Sequence, residues 1–373
     1  MTHTHRKKGR AGRIIARILL RTLLVIFTVI ILAVFGLYMV CDLIFNGPSP
    51  AARDVLTMSM LESSGMKWFP AIFIGEEAVK DIQSEVSATL PNEVSDSDQV
   101  VIQDGSNSVI TEEWKDHPDG IRIEYVKGDT YNAYVMLIRD PSAVYMATSA
   151  DPFSLEVPGT RIHNQILTEG AIAAINAGAF FDNGTSSPMV GSVPEGLVIA
   201  DGKVMWETGK APEEGFVGFN QNNILVVAKT MTADKAMELG IRDGCCFGPV
   251  LIMDGNVNQE AYNVNSGYNP RTAIGQRADG AVIFLCIDGR QAGSLGGTYA
   301  DLIDIMMEFG AVNACNLDGG SSTVMLYKDT YGLYGDELKL WGNDIAMINN
   351  YSLLQKEPRR MPTFFMVRPG REE

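Results

Sequence analysis

The chain has 373 residues, 46% of them hydrophobic and 20% charged, with a formal net charge of −15. That length holds one large domain plus appendages, and the composition is that of a globular protein carrying an added apolar segment. Residues 1–41 contain seven basic and no acidic residues, which leaves 23 basic and 45 acidic residues, a net of −22, for the rest. So acidic a body repels phosphate backbones, which argues against nucleic acid as a partner.

Thr22 to Cys41 is twenty residues without a charge, long enough to span a bilayer. The basic flank precedes it. The positive-inside rule therefore places the N-terminus in the cytoplasm and everything after about Phe45 outside, in a single-pass protein of the cell membrane. A cleaved signal peptide would have a shorter apolar stretch and a small-x-small site, and Tyr38-Met39-Val40 before Cys41 is unlike a lipoprotein box. Residues 1–46 thus read as a basic tail and an uncleaved anchor. Of the five cysteines, Cys245 and Cys246 are adjacent and cannot easily bridge each other. Their overall spacing fits neither a zinc site nor a disulfide framework.

Residues 47–117 read as a membrane-proximal stalk and linker. Gly47-Pro48-Ser49-Pro50 marks the exit, and 53–64 and 75–88 carry weak helical patterns. Trp68, Phe69, Ile72 and Phe73 suit the membrane interface or a packing partner. Residues 92–107 are polar and acidic, the composition of a flexible linker.

The folded body is expected over 118–373. Apolar alternation predicts strands at 121–126, 132–138 and 143–148. A further run, 170–175, ends at Asn176-Ala177-Gly178-Ala179-Phe180-Phe181-Asp182. Asn176 at a strand end either binds sugar hydroxyls or forms a turn; Phe180 and Phe181 are expected in the core. Asp201-Gly202, Asp254-Gly255 and Asp279-Gly280 lie between apolar runs, a two-residue hairpin signal. Residues 232–239 read as a short helix with Thr232 as its N-cap.

Pro270 to Thr323 carries the densest pattern. Pro270-Arg271-Thr272-Ala273-Ile274-Gly275 precedes the Asp279-Gly280 turn and the apolar run 281–287, which ends at Asp288-Gly289-Arg290. Leu302, Ile305, Met306 and Phe309 then recur at helical spacing, with Gly310 placed to end the helix. Thr298-x-x-Asp301 at its start is a capping pattern. A second run, 311–317, ends at Asp318-Gly319-Gly320-Ser321-Ser322-Thr323. This is a strand–helix–strand unit whose strands run parallel or nearly so in one sheet, with Asp288 and Asp318 both just past carboxyl ends. Ligands of open α/β sheets bind at that edge. The expected fold class is α+β: a mixed β-sheet core with hairpins and this unit, preceded by one transmembrane helix.

The segments Pro-Arg-Thr-Ala-Ile-Gly, Ile-Asp-Gly-Arg and Asn-Leu-Asp-Gly-Gly-Ser-Ser-Thr, in this order, resemble the phosphodiester glycosidase family. The family's last motif usually has a third glycine where Ser321 stands. The resemblance runs from about Ala171 to about Val367. It takes in the Asn176 segment, a Phe247-Gly248-Pro249-Val250-Leu251 segment read as a strand lining the cleft, and Arg359 before the final strand. It implies cleavage between a sugar's anomeric carbon and a phosphodiester. Asp288 and Asp318 then supply carboxylates, and Arg271 a bidentate phosphate clamp. Ser321, Ser322 and the amides around Gly319 and Gly320 form an anion nest. Asn176, Thr272, Arg290 and Arg359 complete the substrate-binding set. For Arg359 a solvated surface role stands as an equal alternative.

No cofactor is implied, and a metal is left open. His163 and His117 have no serine or cysteine constellation around them, and no Gly-x-Ser-x-Gly elbow exists, which argues against a hydrolase triad. The predicted function is an extracytoplasmic glycosidase acting on a sugar-1-phosphodiester in a cell-surface glycan or polysaccharide. Two other readings compete: a non-catalytic glycan-binding or exopolysaccharide-assembly module, and a metal-dependent phosphodiesterase with Asp288 and Asp318 as ligands.

Overall fold

The computed structural model describes residues 5–61, 66–84, 92–102, 112–181, 190–208, 215–328, 345–349 and 357–370. The first helix, His5–Phe45, contains a 30-residue apolar span, Ala16–Phe45. Two further helices follow, Pro50–Leu61 and Phe69–Ser84, the second kinked at Gly75, where φ is 79°. The sequence places the latter at 75–88. It starts earlier because Phe69 and Phe73, one turn apart, bury Phe45, with ring centroids 6.3 and 5.0 Å away. Tertiary packing thus extends a helix that its local pattern leaves unmarked. The expected ends at 62–64 and 85–88 lie outside the described residues.

The body is α+β, built of three large antiparallel sheets that share a core, with a two-stranded pair, Thr160–Arg161 and Arg360–Met361, beside them. The largest has seven strands in the order Ile121–Lys127, Asn132–Ile138, Val282–Ile287, Arg271–Arg277, Ala311–Leu317, Val250–Met253, Asn256–Val257. A second runs Lys203–Glu207, Leu197–Ala200, Ile241–Cys246, Phe216–Asn220, Leu225–Ala228. The third runs Ile345–Met347, Met325–Lys328, Ala173–Asn176, Thr363–Val367, Val144–Thr148. Met136, Ile274 and Phe284 of the first sheet, Val217 and Phe219 of the second, and Ile175, Met325 and Phe365 of the third meet in the shared core.

Side chains alternate across a strand, so the opposite face of the large sheet needs its own cover. Val135, Leu137, Ile283, Leu285 and Ile287 supply it, packing with Leu302, Ile305 and Met306 of the helix Tyr299–Glu308. Thr298 and Asp301 cap that helix reciprocally, and Gly310, at φ 80°, ends it, as the sequence predicts.

The strand–helix–strand unit forms with one difference. Val282–Ile287 and Ala311–Leu317 run in the same direction but are not neighbours. Arg271–Arg277 lies between them, antiparallel to both, so no parallel ladder forms. The hairpin at Asp279-Gly280 also differs. Its loop is three residues, 278–280, closed by Arg277 N–H to Ala281 O (2.9 Å), with only Gly280 at positive φ. The other two are two-residue turns with both central residues left-handed, Asp201-Gly202 at 50° and 70° and Asp254-Gly255 at 54° and 74°.

Residues 92–102 have the composition of a linker yet sit on the body. Ser95 N–H donates to Val227 O (2.9 Å) and Val101 N–H to Ala278 O (2.9 Å), and Val100 is buried. Polar residues suit this place, the exposed edge of the Leu225–Ala228 strand, whose unpaired amides need partners. Residues 103–107 of the expected linker lie outside the described residues. Trp114 is also buried, in the helix-side core. We propose Asn92 as the body's N-terminal limit instead of 118.

A candidate active site at one sheet edge

Three strands of the large sheet bring the site together. Val282–Ile287 ends at Asp288 and Ala311–Leu317 ends at Asp318, while Arg271–Arg277 starts between them. Arg271 pairs with Ile287, and Thr272 with Cys286 and Leu317. The antiparallel middle strand puts the start of one motif beside the ends of two others.

Asp288 is 2% exposed. Its N–H donates to Asn132 O (2.8 Å), its carbonyl accepts from Ser294 Oγ (2.6 Å), and its Oδ1 accepts from Asn349 Nδ2 (3.4 Å). Asn349 also donates to Thr323 O (3.2 Å) and accepts from Met325 N–H (2.8 Å), so it couples Asp288 to the chain after Asp318. Asp318 is half-buried, with its N–H on Ala177 O (3.0 Å).

Asn176, at the end of the Ala173–Asn176 strand, is fully buried. Its Nδ2 donates to Asp318 O (2.5 Å), and its Oδ1 accepts from Thr272 Oγ1 (2.8 Å) and Val324 N–H (3.2 Å). One amide thus ties the third sheet to both flanks of Asp318. Cys286 Sγ lies 3.9 Å from Thr272 Oγ1. Burial pushes its thiol well above the ordinary range, so it stays protonated and inert.

Arg271 and Thr272 point to opposite faces, as strand alternation requires. Thr272 faces the other sheets. Arg271 is 2% exposed and faces the helix side: its Nε donates to Gly297 O (3.2 Å) and its Nη2 to Ser266 O (2.7 Å) and Gly267 O (3.3 Å). Its guanidinium also lies 4.3 Å over the Tyr299 ring. These contacts hold loop backbone in place.

Two other arginines converge on the turn after Asp318. Arg359 is buried, 4.9 Å over the Phe180 ring, and donates from Nη1 to Ser321 Oγ (3.2 Å). Its neighbour Arg360 is exposed. Arg290 is exposed, donates from Nη2 to Asn269 Oδ1 (3.0 Å), and lies over Gly320. Gly320 has φ 60°, a left-handed conformation that favours glycine, and a Cβ there would stand 3.3 Å from the Arg290 guanidinium, which would have to shift slightly. The Gly320 N–H is committed to Pro270 O (2.8 Å) and those of Ser322 and Thr323 to the turn itself. The expected nest of amides is therefore partly spent on closing the loop. Side chains offer more: the hydroxyls of Ser322 and Thr323 and the amide Nδ2 of Asn269 are buried with no hydrogen-bond partner among the described residues. Phe181, expected in the core with Phe180, is instead exposed.

Asn349, Asn269 and Ser294 belong to the site and had no signal in the sequence. Asn269 stands just before Pro270 and Ser294 six residues after Asp288, each outside the motif beside it, while Asn349 comes from a segment 61 residues from Asp288. Of the Phe247–Leu251 segment only the last two residues lie in a strand, Val250–Met253, buried beside Ala311–Leu317. It sits one strand further from the centre.

A family model described as phosphodiester glycosidase matches residues 169–368. The uncharacterized SPbeta prophage-derived protein YomE of Bacillus subtilis (strain 168) is 27% identical over 261 residues, 67% of this chain and 39% of that protein. The chain thus aligns with about two fifths of that relative's length. The zebrafish N-acetylglucosamine-1-phosphodiester α-N-acetylglucosaminidase catalytic domain, in a form auto-inhibited by its pro-peptide, is 20% identical with a TM-score of 0.51. That match covers 67% of this chain and 82% of that one, and it establishes likeness of fold. The family match spans more than half of the chain and includes every site residue from Asn176 to Arg359: the chain belongs to the phosphodiester glycosidase family.

Proposed function

We propose that this protein is an extracytoplasmic glycosidase that hydrolyses a sugar-1-phosphodiester bond in a cell-surface glycan. Family membership supports the bond class. The observation that carries the residue-level reading is the placement of Asp288 and Asp318 at one sheet edge, on either side of the Arg271–Arg277 strand.

Water attacks the anomeric carbon as the bond from that carbon to the phosphate oxygen breaks. The bond electrons leave with the phosphate, and the water proton passes to one carboxylate of the pair while the other stabilises charge at the sugar ring. A phosphate is already a good leaving group and needs little acid assistance. Arg290 and Arg359 hold its oxygens with Ser321 and the buried hydroxyls of Ser322 and Thr323. Gly319 and Gly320 let the turn pass close beneath the substrate. Asn176 and Thr272 hold Asp318 in place. Arg271 acts one step back, fixing the 266–267 loop and the start of its strand. The anchor and its basic flank support the compartment.

The test is turnover by the detergent-solubilised full chain on a panel of sugar-1-phosphodiesters. Release of free reducing sugar, lost in Asp288→Asn and Asp318→Asn, is the expected result. Glycan binding without turnover would instead favour a binding module.

A further inference from the structure

The membrane-proximal segment does not stand clear of the body; it docks beside the site. Tyr268 N–H donates to Ser59 Oγ of the Pro50–Leu61 helix at 3.0 Å. A Cβ on Gly267 would lie 2.5 Å from that oxygen and 3.0 Å from Val55 O, so helix and loop touch backbone to backbone. This loop is the one whose carbonyls Arg271 holds, and its next residue, Asn269, accepts from Arg290. Three residues in sequence thus link the stalk helix to the arginine assigned to phosphate.

The same helices are tied to the end of the anchor. Phe45 stacks on Phe73 with rings 5.0 Å apart and 12° from parallel. From Pro50 to Ser59 an α-helix rises only ~14 Å. The site rim therefore stands close to the outer headgroup layer. The acidic body would be pushed off an anionic bilayer, so this packing, and not charge, holds it there.

Exposed apolar side chains occur at both ends of this series of contacts. Trp68 and Ile72, each 60% exposed, flank the cluster on Phe45 just past the end of the apolar span, and residues of this kind favour a membrane interface. Leu295 is 57% exposed in the loop after Asp288, and its carbonyl accepts from Arg290 N–H (3.0 Å). An exposed leucine beside a phosphate-binding arginine suits a substrate that is apolar beyond its phosphate. A soluble polysaccharide would need neither feature.

We propose that the substrate is a sugar-1-phosphodiester whose second ester is a membrane lipid in the outer leaflet. This rests on the glycosidase reading and on the anchor. Water adds across the bond from the anomeric carbon to oxygen: its hydroxyl goes to the sugar, which is released outside, and its proton to the lipid phosphate, which stays in the bilayer.

The experiment uses the full chain in vesicles with one sugar presented two ways, as a polyprenyl phosphodiester in the same bilayer and as a water-soluble methyl phosphodiester. The lipid form should turn over roughly 10²-fold faster at equal bulk concentration, the gain of confining both partners to one surface. It should also slow as inert lipid dilutes it. A twelve-residue Gly-Ser insert between Gly47 and Pro48, combined with Phe73→Ser, lifts the body; it should erase the preference while sparing turnover of the methyl compound. Equal or faster turnover of the methyl compound by the unaltered chain overturns the lipid proposal and leaves the glycosidase reading standing. Turnover of neither overturns both. An unchanged preference in the lifted variant contradicts the role of the docked stalk.

Discussion

Asp318 has a backbone held at both ends and a half-buried carboxylate, so changing that carboxylate alone is a clean perturbation. Asp318→Asn should lower kcat by ~10²–10⁴-fold, the range for a lost acid–base group, with an unchanged melting temperature. Arg359→Lys keeps the charge and loses the planar fork that reaches Ser321, so KM should rise more than kcat falls. Arg271→Lys separates the two arginine roles. Its guanidinium serves three carbonyls and the Tyr299 face. Thermal melts should therefore show a loss of stability before kinetics show a loss of phosphate affinity. At this scale the motif residues were legible because the carboxylates, arginines and glycines are adjacent in sequence to strand ends. Arg271's direction was also implicit in strand alternation, since Thr272 next to it must face the other way. Asn349 was not legible: one asparagine after a short strand carries no pattern, and only the fold brings it to Asp288.

Among the elements, the strand–helix–strand unit could be read because hydrophobic period and cap residues mark it locally. The strand inserted between its two members could not, since antiparallel insertion depends on long-range pairing. Residues 92–102 show the converse. A polar, acidic edge segment and a flexible linker share one composition, and the difference lies in the amides offered by Leu225–Ala228. A fragment starting at Asn92 should unfold cooperatively, and one starting at Asp116 should be less stable. Losing buried Trp114 alone costs about 3–5 kcal/mol by analogy with large-to-small core changes, readable by urea titration. Glu113 adds a pH-dependent part. Its hydrogen bonds to Arg277 (2.7 and 3.2 Å) hold its carboxyl below the usual range. A lowered folded-state value means stability that is complete above the ordinary carboxylate pKa and is lost as pH falls through the lowered one. Glu113→Gln should therefore be less stable than the parent at neutral pH, with the two converging in acid.

For the whole molecule, the three-sheet arrangement and the docked stalk are products of packing between segments more than a hundred residues apart, which local periodicity does not encode. The N-terminal apolar helix, proposed as an anchor, is the reverse case, written in twenty uncharged residues. Its orientation is tested by tags: one at the C-terminus should be removed by protease added to intact cells, and one at Met1 protected. The central claim is the bond that breaks. Incubating the protein with a sugar-1-phosphodiester in oxygen-18 water measures it directly. The account predicts label on the anomeric hydroxyl of the released sugar and none in the phosphate; label in the phosphate would mean cleavage at phosphorus and would contradict it.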